Sequence, residues 1–303
     1  MAVPTLLLIS VIVFALIRLI PGDPALLMLG DMADPQSLAD MRSSLGLDHS
    51  VVTQYLIWIK SVLSGDLGVS ISSRQPVLDL LVERFSVSAT VVLVAVLLAT
   101  LLAVPVGLLA AWKQNSAMDL GLVATATLLL SVPSFWLGLL LLYVFGIQLG
   151  WLPVIGYVGF GTDPMKALTY VVLPIVTLTL VEFGAIARMA RASTIEVLRL
   201  EYIAHARAKG LSESAVLWKH ALRNAFAPTW TLIGLILGNL LGGIAVLETV
   251  FTLPGIGRLM VDAIFSRDYP VLQGCLLLIT CIYVLVNLLV DLLYPLFDPR
   301  VKL

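Results

Sequence analysis

Charge is what this sequence has least of. Asp, Glu, Lys and Arg make up 12% of its 303 residues, about half the roughly 25% of an ordinary soluble domain. The apolar share is 60%, against about 45–50% in such a domain, and mean hydropathy is +1.04. A water-soluble fold has no interior large enough for that much apolar surface, so the bilayer is the natural solvent. The formal net charge of −1 gives no basic field, and nucleic acid is not an expected partner. The three histidines, His49, His205 and His220, and the two cysteines form no cluster with metal-ligand spacing. Cys275 and Cys281 share one apolar stretch and read as buried thiols rather than a disulfide or a metal pair. No Gly-x-x-x-x-Gly-Lys-Ser/Thr string occurs either, so any nucleotide is handled by another chain.

What is present is long apolar runs. A span needs about 20 mainly apolar residues, because a helix rises about 1.5 Å per residue across a hydrocarbon core about 30 Å thick. Six segments qualify: 2–20, 86–111, 119–149, 168–187, 229–251 and 271–296. The third is longer than needed and is expected to tilt or to extend beyond the hydrocarbon. Pro133 within it, Pro105 in the second and Pro174 in the fourth should each kink a helix, which a packed bundle tolerates better than isolated anchors. The first run differs from a signal peptide: no basic residue precedes it and no small-x-small site follows. Pro21-Gly22-Asp23-Pro24 should end that helix sharply.

The expected fold class is therefore all-α, a polytopic membrane protein with six transmembrane helices. Residues 1–20 form the first helix, 21–85 an external segment, 86–296 a five-helix core that includes a loop at 188–227, and 297–303 a tail. The external segment carries helical stripes: Leu38, Met41 and Leu45 after the cap pair Asp34-Pro35, then Val52, Tyr55, Leu56, Ile59, Val62 and Leu63. A third stripe, Val77, Leu80, Leu81 and Phe85, leads into the second span. These are expected to be amphipathic helices lying on the outer interface or capping the bundle, with scaffolding a simpler role for them than substrate contact.

Orientation follows from the short loops. Residues 188–227 carry Arg188, Arg191, Arg199, Arg207, Lys209, Lys219 and Arg223 against Glu196, Glu201 and Glu213. Loops 150–167 and 252–270 carry only Lys166, Arg258 and Arg267 as basic residues. Positive loops stay inside, so 188–227 is expected in the cytoplasm and, by alternation, both chain ends with it.

That loop has its own pattern. Gly210 supplies a permissive backbone that ends one helix, and Ser212 can cap the next, which is expected to run to about Ala225 and stop before Pro228. Along it, apolar Val216, Leu217, Ala221 and Leu222 alternate with Lys219, His220, Arg223 and Asn224. A short amphipathic helix of this kind can fill a groove in a soluble partner or lie on the membrane surface, and periodicity alone does not choose.

Residue order does. Ala204-His205-Ala206, three residues and then Gly210 resembles the Glu-Ala-Ala, three residues, Gly signature of binding-protein-dependent ABC importer permeases. Ala204 and His205 depart from the signature, as does Arg223 where a proline is usual. With Ala206–Ser212 and His220–Ala225, however, these departures are like the dipeptide and oligopeptide branch. Pro21-Gly22-Asp23-Pro24, Gly46-Leu47-Asp48, Gly65-Asp66-Leu67-Gly68, Ser131–Phe135, Leu149–Pro153, Pro254–Gly257, Arg267–Val271 and Asp291–Tyr294 are similar to that branch too, in order along the chain. One departure lies at the start, where such permeases usually carry a basic stretch before the first span and this sequence has none; a misassigned start or a shortened chain would account for it.

The resemblance implies a type I importer permease in a bacterial cytoplasmic (inner) membrane. Its partners would be a second, similar membrane subunit, two cytoplasmic ATPase subunits and an external substrate-binding protein, periplasmic or lipid-anchored. This chain would hold no cofactor, ATP and Mg being used by the ATPase subunits, and would itself catalyse no reaction. Peptides are the usual cargo, with glutathione close by and nickel or another small solute the alternative. The residues implied in coupling to the ATPases are Ala204, Ala206, Lys209, Gly210, Leu211, Ser212, Val216, Leu217, His220, Arg223 and Asn224.

Inside the spans, Gly234, Gly238 and Gly242 recur every four residues and should let a helix of this subunit or its partner approach closely. Ser131, Ser134 and Asn239 are candidates for a translocation path. Glu182 lies about a turn from Arg188 and is placed to pair with it, while Asp119, Glu248 and Asp291 lie close enough to span ends to reach interfacial water. A secondary transporter would need ionisable groups near the midplane, and a membrane enzyme a nucleophile, base or metal set. Neither pattern is visible, while a purely structural membrane subunit stays open.

Overall fold

The computed structural model describes residues 2–19, 26, 34–44 and 47–297. The Pro21–Pro24 turn, Leu45 and all but the first residue of the 297–303 tail lie outside them. Among the described residues no strand forms; the chain is built from helices of very unequal length. In order these are α1 (Ala2–Leu19), α2 (Pro35–Ser44), α3 (Val51–Leu63), α4 (Val77–Trp112), α5 (Ala117–Ser131) and α6 (Ser134–Leu141), which runs on as a π-helical stretch to Gln148. After them come α7 (Pro164–Leu198), α8 (Glu201–Ala208), α9 (Glu213–Gly243), α10 (Ala245–Val250), α11 (Ile256–Phe265) and α12 (Tyr269–Leu293).

Four of these, α4, α7, α9 and α12, are long and apolar enough to cross a membrane, and α5 with α6 makes a fifth if the bent pair counts as one span. The third apolar run does not tilt as a single rod. It breaks by 96° between α5 and α6. The cause is local: Val132 is extended (φ −92°, ψ 124°), the conformation a following proline imposes, and Pro133 caps the new helix. Pro105 and Pro174, by contrast, are carried inside α4 and α7. Those two helices are locked together, with Gly107 so close to Ala187 and Ala190 that an added Cβ would lie 2.7 Å from the Ala187 carbonyl. Small residues on α4, Ala95, Ala99 and Ala103, are fully buried at this contact, and the Thr179 hydroxyl donates to the Ala95 carbonyl at 3.3 Å. Close backbone approach is what small residues contribute to packing in a membrane, where dispersion rather than the hydrophobic effect holds helices together.

The external segment is partly as expected. Asp34 caps α2, accepting from the Ser37 backbone at 2.9 Å. The Ser37 hydroxyl and backbone N–H hold its carboxyl below the ordinary carboxylate range. On α3, Tyr55, Ile59 and Val62 are half-buried; Tyr55 packs edge-on against Phe14 of α1 at 5.3 Å between ring centroids, with Trp58 alongside. The third stripe is not a separate surface helix. Val77, Leu80 and Leu81 are buried as the first turns of α4, packed with Ile256, Val271 and Cys275. Ser70 and Asp268 close this end: the Ser70 hydroxyl and Ser72 backbone donate to Asp268 Oδ2 at 2.6 and 3.1 Å.

Asp119 and Glu248 do not reach interfacial water; both are 1% exposed. Glu248 accepts from the Ser88 hydroxyl at 2.5 Å and from the Arg258 backbone at 2.8 Å. It thereby satisfies the first turn of α11, whose N–H groups have no partner within the helix. Asp291 is exposed.

Candidate functional site

The basic loop is a folded cap on one end of the bundle. Helix α7 runs past its expected limit to Leu198, and Arg199 and Leu200 turn the chain into α8. Lys209 ends α8, and Gly210 takes φ +78°, the left-handed conformation that glycine adopts without strain. Ser212 then caps α9, its side chain accepting from the Ala215 backbone at 3.4 Å. Across the break Arg207 donates to both carboxylate oxygens of Glu213, at 2.9 and 3.1 Å. Both side chains are about two-fifths exposed, so the pair fixes the angle between the helices more than it adds stability.

Helix α9 does not stop before Pro228. It passes through a π-helical stretch at Val216–Ala221 and continues through Pro228 to Gly243. The proline is exposed while Ala227 and Thr229 on either side are buried, so packing holds the helix across the missing N–H. The loop is therefore joined rigidly to the fifth span.

This continuity decides which side chains face outward. Ala206, Val216 and Leu217 are buried in the main core of this same chain, with Ile203, Ala221 and Ala225. They are not available to fill a partner's groove: the apolar stripe is satisfied from within. Ala204, Lys209, Gly210, Leu211, Ser212, Arg223 and Asn224 are exposed, and His220 is half-buried. The outward surface is thus the α8 face and the turn at Gly210. Tyr202, which the sequence did not single out, ties the two helices: it accepts from Asn224 at 2.7 Å and donates to the His220 carbonyl at 3.3 Å. Ser193 on α7 donates to the Ala225 carbonyl at 2.8 Å.

A second brace was also hidden in the charge count. Arg191 on α7 forms a two-pronged ion pair with Asp119 at the start of α5, Nη2 lying 2.7 Å from Oδ2. The Asn115 backbone donates to the same oxygen at 2.9 Å. The loop, α7 and α5 are thereby one mechanical unit.

The remaining candidates separate. Gly234 and Gly238 meet α12 of this subunit: an added Cβ would lie 2.3 Å from Val290 Cγ2 and 2.6 Å from Tyr283 Cδ2 respectively, while at Gly242 Ile279 is 3.5 Å away. Ser131 and Ser134 flank the break in the third span, and Ser131 donates to Thr127 of its own helix at 2.8 Å. Asn239 is exposed on α9. Nothing brings these three into contact. Glu182 is half-buried and has no hydrogen bond or ion pair among the described residues, so the expected pairing with Arg188 is not formed.

A family described as binding-protein-dependent transport system inner membrane component matches residues 103–303, and its N-terminal companion matches residues 1–94. The chain belongs to that family. It is an importer permease, a multi-pass membrane subunit that is not itself an enzyme. A Brucella abortus protein named as a peptide transport system permease is 42% identical to this permease over 99% of the chain and 96% of its own length. The glutathione transport system permease protein of Escherichia coli is 40% identical over 99% and 95%. The dipeptide transport system permease protein of Alkalihalophilus pseudofirmus is 38% identical over 99% and 96%.

Proposed function

We propose that this permease forms half of the translocation pathway for di- or oligopeptides, glutathione-like peptides included, in an ATP-driven importer. The names of relatives matched end to end carry the reading of cargo; they favour peptides over nickel. The complete importer has a second homologous permease, two cytoplasmic ATPase subunits that use ATP and Mg, and an external substrate-binding protein. The membrane is the bacterial inner membrane, with the 188–227 loop and both chain ends in the cytoplasm.

Coupling runs through α8 and the Gly210 turn. An ATPase subunit grips the exposed residues Ala204, Lys209, Leu211 and Ser212. Buried Ala206, Val216 and Leu217 pass its movement to α7 and α9, because they belong to the same packed core as those spans. The test is reconstitution of all partners in proteoliposomes. ATP-dependent dipeptide uptake that disappears when this chain is omitted is expected. Uptake that persists without the ATPase subunits and follows an ion gradient would make the chain a secondary transporter.

A further inference from the structure

A cleft of about 430 Å³ opens where the chain between α6 and α7 folds over the first turns of α4. Its lining is Glu83, Ser86, Val87 and Thr90 on α4 with Tyr157, Gly159, Phe160 and Gly161 opposite. The hydrogen bonds around it are one-sided. The Ser86 hydroxyl donates to the Glu83 carbonyl at 2.6 Å, and the Thr90 hydroxyl donates to the Ser86 carbonyl at 2.7 Å. Both protons are spent on the helix backbone, so these oxygens offer only lone pairs to the cleft. The Glu83 carboxylate accepts no hydrogen bond and forms no ion pair among the described residues, and no Lys, Arg or His lines the cleft.

An acceptor-rich wall with a carboxylate and no cation is the complement of a group that only donates. A primary ammonium carries three N–H donors and no acceptor. We infer that this cleft receives the α-ammonium group of the peptide as it enters from the external side, Glu83 accepting its charge-assisted hydrogen bond and the Ser86 and Thr90 oxygens its remaining donors. Val87 and Phe160 give the adjoining apolar wall for the first side chain. Burial, and after it the charge of Glu83, pushes the Tyr157 phenol above its ordinary value, so it remains an uncharged neighbour of the incoming cation. The inference rests on the peptide-importer reading and adds a selectivity site to it.

Glu83 is exposed and has no hydrogen-bond or ion-pair partner among the described residues, so Glu83→Gln leaves the fold intact. The assay is uptake of radiolabelled dialanine by proteoliposomes holding the complete importer, titrated with its binding protein. Loss of one charge-assisted hydrogen bond lowers maximal uptake about tenfold in Glu83→Gln, while Glu83→Asp keeps most of the rate. The half-saturating concentration of binding protein stays unchanged. Three results overturn the inference with the peptide reading intact. One is wild-type uptake by Glu83→Gln. Another is an equal loss in the Asp and Gln variants. The third is an effect confined to the half-saturating concentration, which would assign Glu83 to docking of the binding protein. A wild-type importer that takes up no di- or tripeptide removes the peptide reading and this site together.

Discussion

At Gly210 the backbone takes φ +78°, yet nothing lies within 4 Å of where a Cβ would stand. Substitution there is penalised by backbone strain alone, about 1–2 kcal/mol for an ordinary residue and more for a β-branched one. Asparagine tolerates the left-handed region, so Gly210→Asn is expected to transport normally. Gly210→Val should insert and assemble, but the turn must change φ and swing α8 away from the ATPase subunit proposed to grip it. Peptide uptake then falls at least about fivefold while ATP turnover continues, measured in the reconstituted importer. Wild-type uptake and turnover in the valine variant would remove this turn from the coupling route. Asp119 poses the opposite case. Its partner Arg191 is 23% exposed while Asp119 is 2% exposed at its side chain, so Asp119→Ala strands a guanidinium in a largely buried place. Removing one member of such a pair costs about 3 kcal/mol. A lowered thermal midpoint in detergent is expected, largely restored when Arg191→Met removes the second charge. A midpoint unchanged by Asp119→Ala would show that the pair carries no stability.

Among the elements, the glycine stripe on α9 sets the distance to α12. Gly238→Leu would drive a side chain into Tyr283 and should abolish assembly. Gly234→Ala is a finer test. The added methyl conflicts chiefly with Val290 Cγ2, so Val290→Ala should rescue it, and crosslinking between cysteines placed on α9 and α12 would report the recovered contact. Failure of the rescue would place the constraint elsewhere on the interface. This stripe was legible in the sequence because glycine at every fourth position has few other uses in an apolar helix; its partner was not, since spacing names a face and not its neighbour. The break at Pro133 and the continuity through Pro228 show the same limit. Both prolines lack an N–H and fix φ alike, but β-branched Val132 precedes the first, while Ala227, a strong helix former, and buried neighbours flank the second. The outward residues of the loop were found by residue order. That Val216 and Leu217 lie in this chain's own core was not legible, because an amphipathic stripe looks the same whether its apolar side faces a partner or its own core. Tyr202 and the Asp119–Arg191 brace join positions far apart in sequence, and no local pattern announces such a pair.

For the whole molecule, the distribution of basic residues sets which way the bundle sits in the membrane. The 188–227 stretch gathers seven Lys and Arg residues, with 150–167 holding Lys166 alone. The folded loop strengthens the argument, since Lys209 and Arg223 remain exposed instead of being paired within the core. Carrying such a cap across the bilayer would require dehydrating several cations at about 2.5–3.5 kcal/mol each, whereas the segment at 150–163 has little charge to move. Truncated fusions make this measurable. A cytoplasm-active reporter joined after Ala215 should give full signal, and an export-active reporter joined after Phe160 should give its own. The 96° break between α5 and α6 adds a sharper condition. If that bent pair is a single crossing, fusions at Asn115 and at Phe160 lie on opposite sides. Signals on the same side would make the pair re-entrant and would contradict the cleft that Phe160 shares with Glu83, at the opposite end of α4 from Asn115. Cytoplasmic signals at 115 and 215 with an exported one at 160 are the pattern that places the 188–227 loop inside and the acceptor-rich cleft outside.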